Sequence, residues 1–359
     1  MASSTPPRDT AASQKGGEAA PAGRGSGYAE LSRQIKQAGL LNRRPGYYTA
    51  KIAANLALLA AGGTVFALLG DSWYQLLVAA FLAVVFTQLA FIGHDAGHRQ
   101  IFRTRRANDL LGLVHGNLLV GLSYGWWVSK HNRHHAHPNH EGQDPDIPNG
   151  ALAFTTDHAN ARQRTLTRAL ARHQAYLFFP MLLFEGVNLH VASIRTLFTR
   201  TAKPRFKPAE ALLLTAHITG YLAALFLILS PLQATVFLLV HQGLFGLYMG
   251  CSFAPNHKGM PVLGERDKLD YLRRQVLTSR NVRGGRFVDF VLGGLNYQIE
   301  HHLFPSMPRP SLRRSQPLVR AYCRQHDLPY HESTFFGSYI QVLRHLHAVG
   351  APLRPSTAS

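Results

Sequence analysis

Two apolar stretches limit what this chain can fold into. From Ile52 to Ile92 the only charged residue is Asp71, and from Ala209 to Gly250 the only one is Glu210. Each stretch is twice the length of the roughly 20 apolar residues that cross a bilayer as a helix. Each is broken near its middle by residues that favour turns, Gly70-Asp71-Ser72 in one and Ser230-Pro231 in the other. Helices of soluble bundles keep a polar face, which these lack. The pattern predicts an all-α integral membrane protein with four transmembrane helices arranged as two hairpins, near 48–69, 73–92, 209–230 and 232–250.

The position of the charge matters more than its sum. The chain has 38 Lys and Arg against 19 Asp and Glu, a net charge of +19, which in a soluble protein would point to nucleic acid. Here both hairpin tips lack basic residues, which instead fill the terminal segments and the central loop, with Lys51 at the mouth of the first span. The positive-inside rule makes that side cytoplasmic, with both termini on it. Basic residues beside anionic headgroups each gain about 1 kcal/mol near the surface. That accounts for the charge with no nucleic-acid partner, and no aromatic interleaving of a base-stacking kind is present.

Residues 1–27 are rich in Ala, Gly, Ser, Pro and Thr and have no apolar core, so they are expected to form a disordered cytoplasmic tail and not a signal peptide. Residues 28–340 then form the membrane domain and 341–359 a C-terminal tail. Cys251 and Cys323 form no CxxC and read as ordinary thiols on the reducing side. Two more apolar stretches, Leu110 to Trp127 and Tyr176 to Leu197, contain His115 and Asn117 in one and Glu185, Asn188, His190 and Arg195 in the other. They suit interfacial helices, or helices packed over a site, better than free-standing spans.

The chemistry lies in the histidines. In HDAGH, His94 and His98 are four residues apart where the second span ends; in HNRHH, His131, His134 and His135 stand at i, i+3 and i+4. QIEHH repeats that pattern with an amide first, as Gln298, His301 and His302. Such spacings put the side chains of each cluster on one helical face, and all three clusters fall on the expected cytoplasmic side. Together they suffice to enclose two metal ions in a helical cap. Imidazole suits Fe, Zn, Cu and Ni alike, so ligand type leaves the metal open. The set has no cysteine, which argues against an iron–sulfur cluster, and neither CxxCH nor HExxH occurs. His115, His140, His158, His173, His190, His326, His331, His345 and His347 read as surface or hydrogen-bonded residues, and His217 and His241 as hydrogen-bonding within the spans.

HDAGH, HNRHHAHPN and NYQIEHHLFP, in that order and with two spans between the second and third, resemble the three histidine boxes of membrane fatty acid desaturases. Gln298 at the head of the third box is similar to the acyl-lipid and front-end branch. The resemblance covers about residues 45 to 330. It implies a di-iron centre held by His94, His98, His131, His134, His135, His301 and His302, with Gln298 a weaker or indirect ligand. His257 in SFAPNHKGM matches an additional family histidine after the fourth span. Asp95, Asn132, Asn296 and Glu300, within or beside the boxes, are candidates to orient imidazoles. The resemblance further implies O2 as co-substrate, a fatty acyl substrate entering an apolar tunnel with its head held by basic groups, and insertion of a double bond. Many front-end relatives carry a fused cytochrome b5 domain, but no HPGG motif occurs here. Electrons are therefore expected from a separate donor of ferredoxin, cytochrome b5 or reductase type. Hydroxylation by the same centre differs only in the fate of the substrate radical, and the third box favours desaturation. Against a metal carrier, the clusters lie outside the spans and no line of polar residues crosses them.

Overall fold

The computed structural model describes residues 27–147, 152–199 and 206–354. The expected N-terminal tail lies outside them, apart from Gly27, which opens helix α1 (Gly27–Gln37). Next come α2 (Pro45–Leu69) and α3 (Gln75–Gly97), both long and apolar enough to cross a membrane. The turn between them needs Gly70, whose φ of 56° lies in the left-handed region. The Gln75 side chain donates to the carbonyls of Phe66 (2.7 Å) and Gly70 (2.9 Å), satisfying C=O groups that lipid cannot.

Helix α4 (Arg105–Leu113) runs into a π-helical turn (Val114–Val120) that stops at left-handed Gly121, φ 81°. A Cβ there would lie 2.4 Å from the His217 ring, so the position requires glycine. The first interfacial stretch is thus broken in the structure, and its residues His115, Asn117 and Val120 are buried. Helix α5 (Tyr124–Ala136) follows. After α6 (Thr156–Asn160), the second stretch is divided between α7 (Thr165–Leu182) and α8 (Glu185–Phe198), bent by 80°.

Helices α9 (Lys207–Ile228) and α10 (Pro231–His257) are the other two of the four candidate membrane helices among the described residues. The apolar window of α3 is 67% buried and that of α9 only 11%, so α3 lies inside, against α2 and α10, while α9 faces out. Both lone charges of the apolar stretches have partners. Asp71 accepts from the Ser230 N–H at 2.8 Å, tying the two tips together. Glu210 is fully buried and accepts from Ser123 Oγ (2.5 Å) and the Gly125 N–H (3.3 Å), which sets its carboxyl oxygens at the positive N-terminus of α5.

The rest of the chain covers the ends of α3 and α10 with α11 (Tyr271–Leu277), α12 (Arg286–Val291), α13 (Gln298–Leu303), α14 (Arg309–Gln325) and α15 (Phe335–Val349). The all-α expectation needs one correction: β1 (Asn281–Arg283) pairs in parallel with β2 (Glu332–Thr334). Residue 340, the expected end of the membrane domain, lies inside α15. That helix buries Val342 and Leu346 against Phe178, Leu182 and Ala254, a core a tail would not make. Helices α3 and α10 continue past their expected ends, 92 and 250, to Gly97 and His257, and these extra turns carry site residues.

Candidate metal centre

Each histidine motif sits on a helix end. His94 lies in the last turn of α3 with His98 as its C-cap; His131, His134 and His135 lie near the end of α5; His301 and His302 close the short α13; His257 ends α10. Their ring nitrogens collect into two groups. The first is His94, His98, His131 and His301, and the second is His134, His257 and His302, the nitrogens within each lying no more than 4.8 Å apart. Helices α5 and α13 contribute to both, since His131 and His134, and likewise His301 and His302, part to opposite groups. His135 belongs to neither and touches both: its Nε2 is 3.1 Å from that of His131, and its ring stacks on His302 at 4.1 Å.

The second group reveals what it is built to hold. His134 Nδ1 faces the Asp144 carboxylate at 3.0 Å, His257 Nδ1 the Thr278 carbonyl at 2.9 Å, and His302 Nδ1 the Gln275 Oε1 at 2.9 Å. Gln275 is oriented by its own amide, which donates to the His135 carbonyl. All three acceptors are oxygens, so Nδ1 carries the proton and Nε2 keeps its lone pair. Yet His257 Nε2 lies 3.2 Å from His134 Nε2 and 3.1 Å from His302 Nε2. Three imidazole nitrogens converging this closely form a group that could hold a metal ion.

The first group agrees. Among the described residues, the buried Nε2 atoms of His94, His98 and His301 have no hydrogen-bond partner, while His94 Nδ1 faces Asp95 Oδ1 at 3.1 Å. Asp95 is pinned by Arg309 at 2.7 Å and Tyr48 Oη at 3.1 Å. Breaking such a buried ion pair typically costs about 3–5 kcal/mol. Trp127 stacks on His131 at 4.4 Å and meets His94 edge-on at 5.2 Å. The glycine of HDAGH makes room for it, as a Cβ on Gly97 would lie 2.4 Å from the indole.

Burial holds His98, His131, His135, His301 and His302 well below the usual imidazole pKa, with neighbouring imidazoles adding to the effect. They are therefore neutral and ready to ligate. Burial also opposes charge on His134, but the Asp144 hydrogen bond and the charges of Asp146 and Asp144 outweigh it and raise that pKa.

Gln298 stands at the rim of the second group, its Nε2 2.8 Å from His257 Nε2 and its Oε1 accepting from Asn256. Of the four orienting candidates only Asp95 meets an imidazole. Asn132 is exposed, Asn296 donates to Asp289, and Glu300 accepts from Asn281 and Tyr330, with burial raising its pKa to about 7. Sequence reasoning missed Asp144, Gln275, Thr278, Arg309 and Trp127. Of the other histidines, His115, His140, His190 and His217 bond backbone carbonyls, and His241 meets Tyr221 from the neighbouring helix.

Four helices apolar enough to cross a membrane, with two adjoining histidine groups at their ends that could each hold a metal ion, define a class of membrane protein with a histidine-rich candidate metal centre. The sequence profile of the fatty acid desaturase family matches residues 71–334, and the chain belongs to that family of lipid-metabolising enzymes. It is 32% identical over 310 residues to the acyl-lipid (9-3)-desaturase of Physcomitrium patens, covering 84% of this chain and 58% of that protein. It is 31% identical to the Delta(8)-fatty-acid desaturase of Euglena gracilis, over 89% of this chain and 77% of the relative. The Delta(6)-fatty-acid desaturase fat-3 of Caenorhabditis elegans is 30% identical, over 92% and 76%.

Proposed function

We propose that this chain is an O2-dependent acyl desaturase that inserts a double bond into a long acyl chain, borne by a lipid or by CoA, with two iron ions at the paired histidine groups. The convergence of lone pairs at His134, His257 and His302 carries this reading. His94, His98, His131 and His301 would hold one ion and His134, His257 and His302 the other, with His135 between them and Gln298 at the edge. When bound, the irons would supply the O2-activating chemistry needed to remove two vicinal hydrogens from an unactivated methylene pair, with two electrons from a separate ferredoxin, cytochrome b5 or reductase. The chain's own part is orientation: Asp95, Asp144 and Gln275 keep the Nδ1 protons in place and the Nε2 atoms free. Trp127 closes one side against water.

The sites lie at the ends of α3 and α10 opposite the hairpin tips, beside the basic segments, which supports a cytoplasmic active site and cytoplasmic termini. Cysteines placed at Ser72 and Ser230 are then expected to label from the opposite side to one at Ser306, and same-side labelling would refute the arrangement. Mass spectrometry of lipids from a host expressing the protein tests the reaction. A new acyl double bond that depends on the protein and on O2 is expected; hydroxylated chains without one would establish hydroxylation instead.

A further inference from the structure

We infer that the cavity at the head of α2 is a phosphate site that holds the headgroup of a glycerophospholipid substrate; this rests on the desaturase reading and extends it to the carrier. Arg43, Arg44 and Arg314 line a cavity of about 390 Å³ with Pro45, Tyr47 and Pro310. Among the described residues none of these three guanidiniums has a carboxylate partner. Arg43 donates to the Ser306 carbonyl at 3.2 Å, and Arg44 and Arg314 have no ion pair among the described residues. On the same helix as Arg314, both Arg309 and Arg313 are paired, with Asp95 and Asp289. Like charges gathered around one hollow repel unless an anion joins them, and the planar guanidinium fork matches phosphate oxygens.

The location fits the tail of the substrate as well as its head. Arg44 directly precedes the first membrane helix, the level at which lipid phosphates lie. The cavity is linked to the first histidine group through a chain of side-chain contacts. Tyr47 packs edge-on against Tyr48, whose hydroxyl bonds Asp95, the partner of His94. Ser306 lies on the segment leaving the third histidine motif. A headgroup seated here would be joined to the first histidine group through Tyr47, Tyr48 and Asp95.

Two arms on the detergent-solubilised full chain test this, using Arg44→Ala, Arg314→Ala, the double variant and Arg286→Ala as a control away from the cavity. Native mass spectrometry with added phosphatidylglycerol reads binding without turnover. Wild type and Arg286→Ala are expected to retain the lipid and the double variant to lose it; equal retention would overturn the site. Kinetics on iron-loaded protein compare acyl phosphatidylcholine with acyl-CoA. The expected result is a KM for the phospholipid raised about fivefold per arginine, within the range of exposed ion pairs, with kcat within about twofold and the KM for acyl-CoA unchanged. A rise for acyl-CoA alone would overturn the lipid assignment, and no rise for either would overturn the cavity's role. If wild type forms no product from either substrate, the desaturase reading fails, while the binding arm still reports on the cavity.

Discussion

In the first histidine group the imidazoles of His94, His98, His131 and His301 lean on one another and on Trp127, and only Asp95 holds a ring through an oxygen. In the second group each of His134, His257 and His302 is held by an oxygen from a different segment: Asp144, Thr278 and Gln275. The difference teaches how each site behaves without metal. The second is fixed in advance by hydrogen bonds that keep Nε2 aimed inward. The first relies on packing and, among the described residues, leaves both His301 nitrogens buried without a hydrogen-bond partner, each unmet group costing about 1–3 kcal/mol.

The largest effect is expected where the two groups meet. His135→Ala removes the ring that touches both, and His302→Ala removes a second-group imidazole and the ring His135 stacks on. Each is expected to abolish product formation while membrane insertion stays intact, because neither residue lies in a span. Substantial desaturation with normal iron in His135→Ala would mean that the groups do not depend on this ring.

Asp144→Ala separates the groups. It releases His134 but touches nothing in the first group, so iron is expected to fall from about two toward one per chain, with activity down about 10- to 100-fold, the usual effect of losing such an orienting partner. Metal analysis checks this, and iron lost equally from both sites would remove the distinction.

In the metal-free protein, pH sets His134 apart from the other site histidines. His98, His131 and His301 of the first group, along with His135 and His302, have folded pKa values well below 6.5. The unfolded chain therefore takes up more protons below 6.5, and their contribution to stability, complete above that pH, is lost as pH falls through it. His134, with its raised pKa, acts oppositely: its contribution is present below 6.5 and is lost as pH rises through its folded value. Thermal melts of metal-free protein are expected to show Tm falling from pH 7 to pH 5, less steeply with His301→Ala. A flat profile would contradict the burial argument.

The smallest effect belongs outside both groups. His345, expected to be a surface or hydrogen-bonded residue, is half-buried with Nε2 3.2 Å from the Phe154 carbonyl, and its Cβ lies near Gly259. It contacts no site imidazole, so His345→Ala is expected to keep activity within a few-fold of wild type in the same lipid assay.

The helices and box histidines were legible because their signals are local: charge-free runs of span length, and nitrogens repeating at i, i+3 and i+4. The same rule explains the failed guesses. Asn132 and Glu300 adjoin box histidines in sequence, but the next residue on a helix points about a quarter-turn away. The true partners come from distant or looped segments, as Gln275 does for His302 and Arg309 for Asp95, and no periodicity announces them. Asp144 left a faint trace, an acidic Asp-Pro-Asp just after HNRHH in a basic chain. The division of neighbours between two groups arises only when α5 and α13 lie across the ends of α3 and α10.

The central claim is that two iron ions occupy these groups and do the work. Iron analysis paired with activity, on protein from iron-supplied cells, tests it most directly. The account predicts about two irons per chain in active protein, activity lost on chelation, and recovery with ferrous iron but not with zinc. Activity retained with iron removed and zinc bound would contradict it.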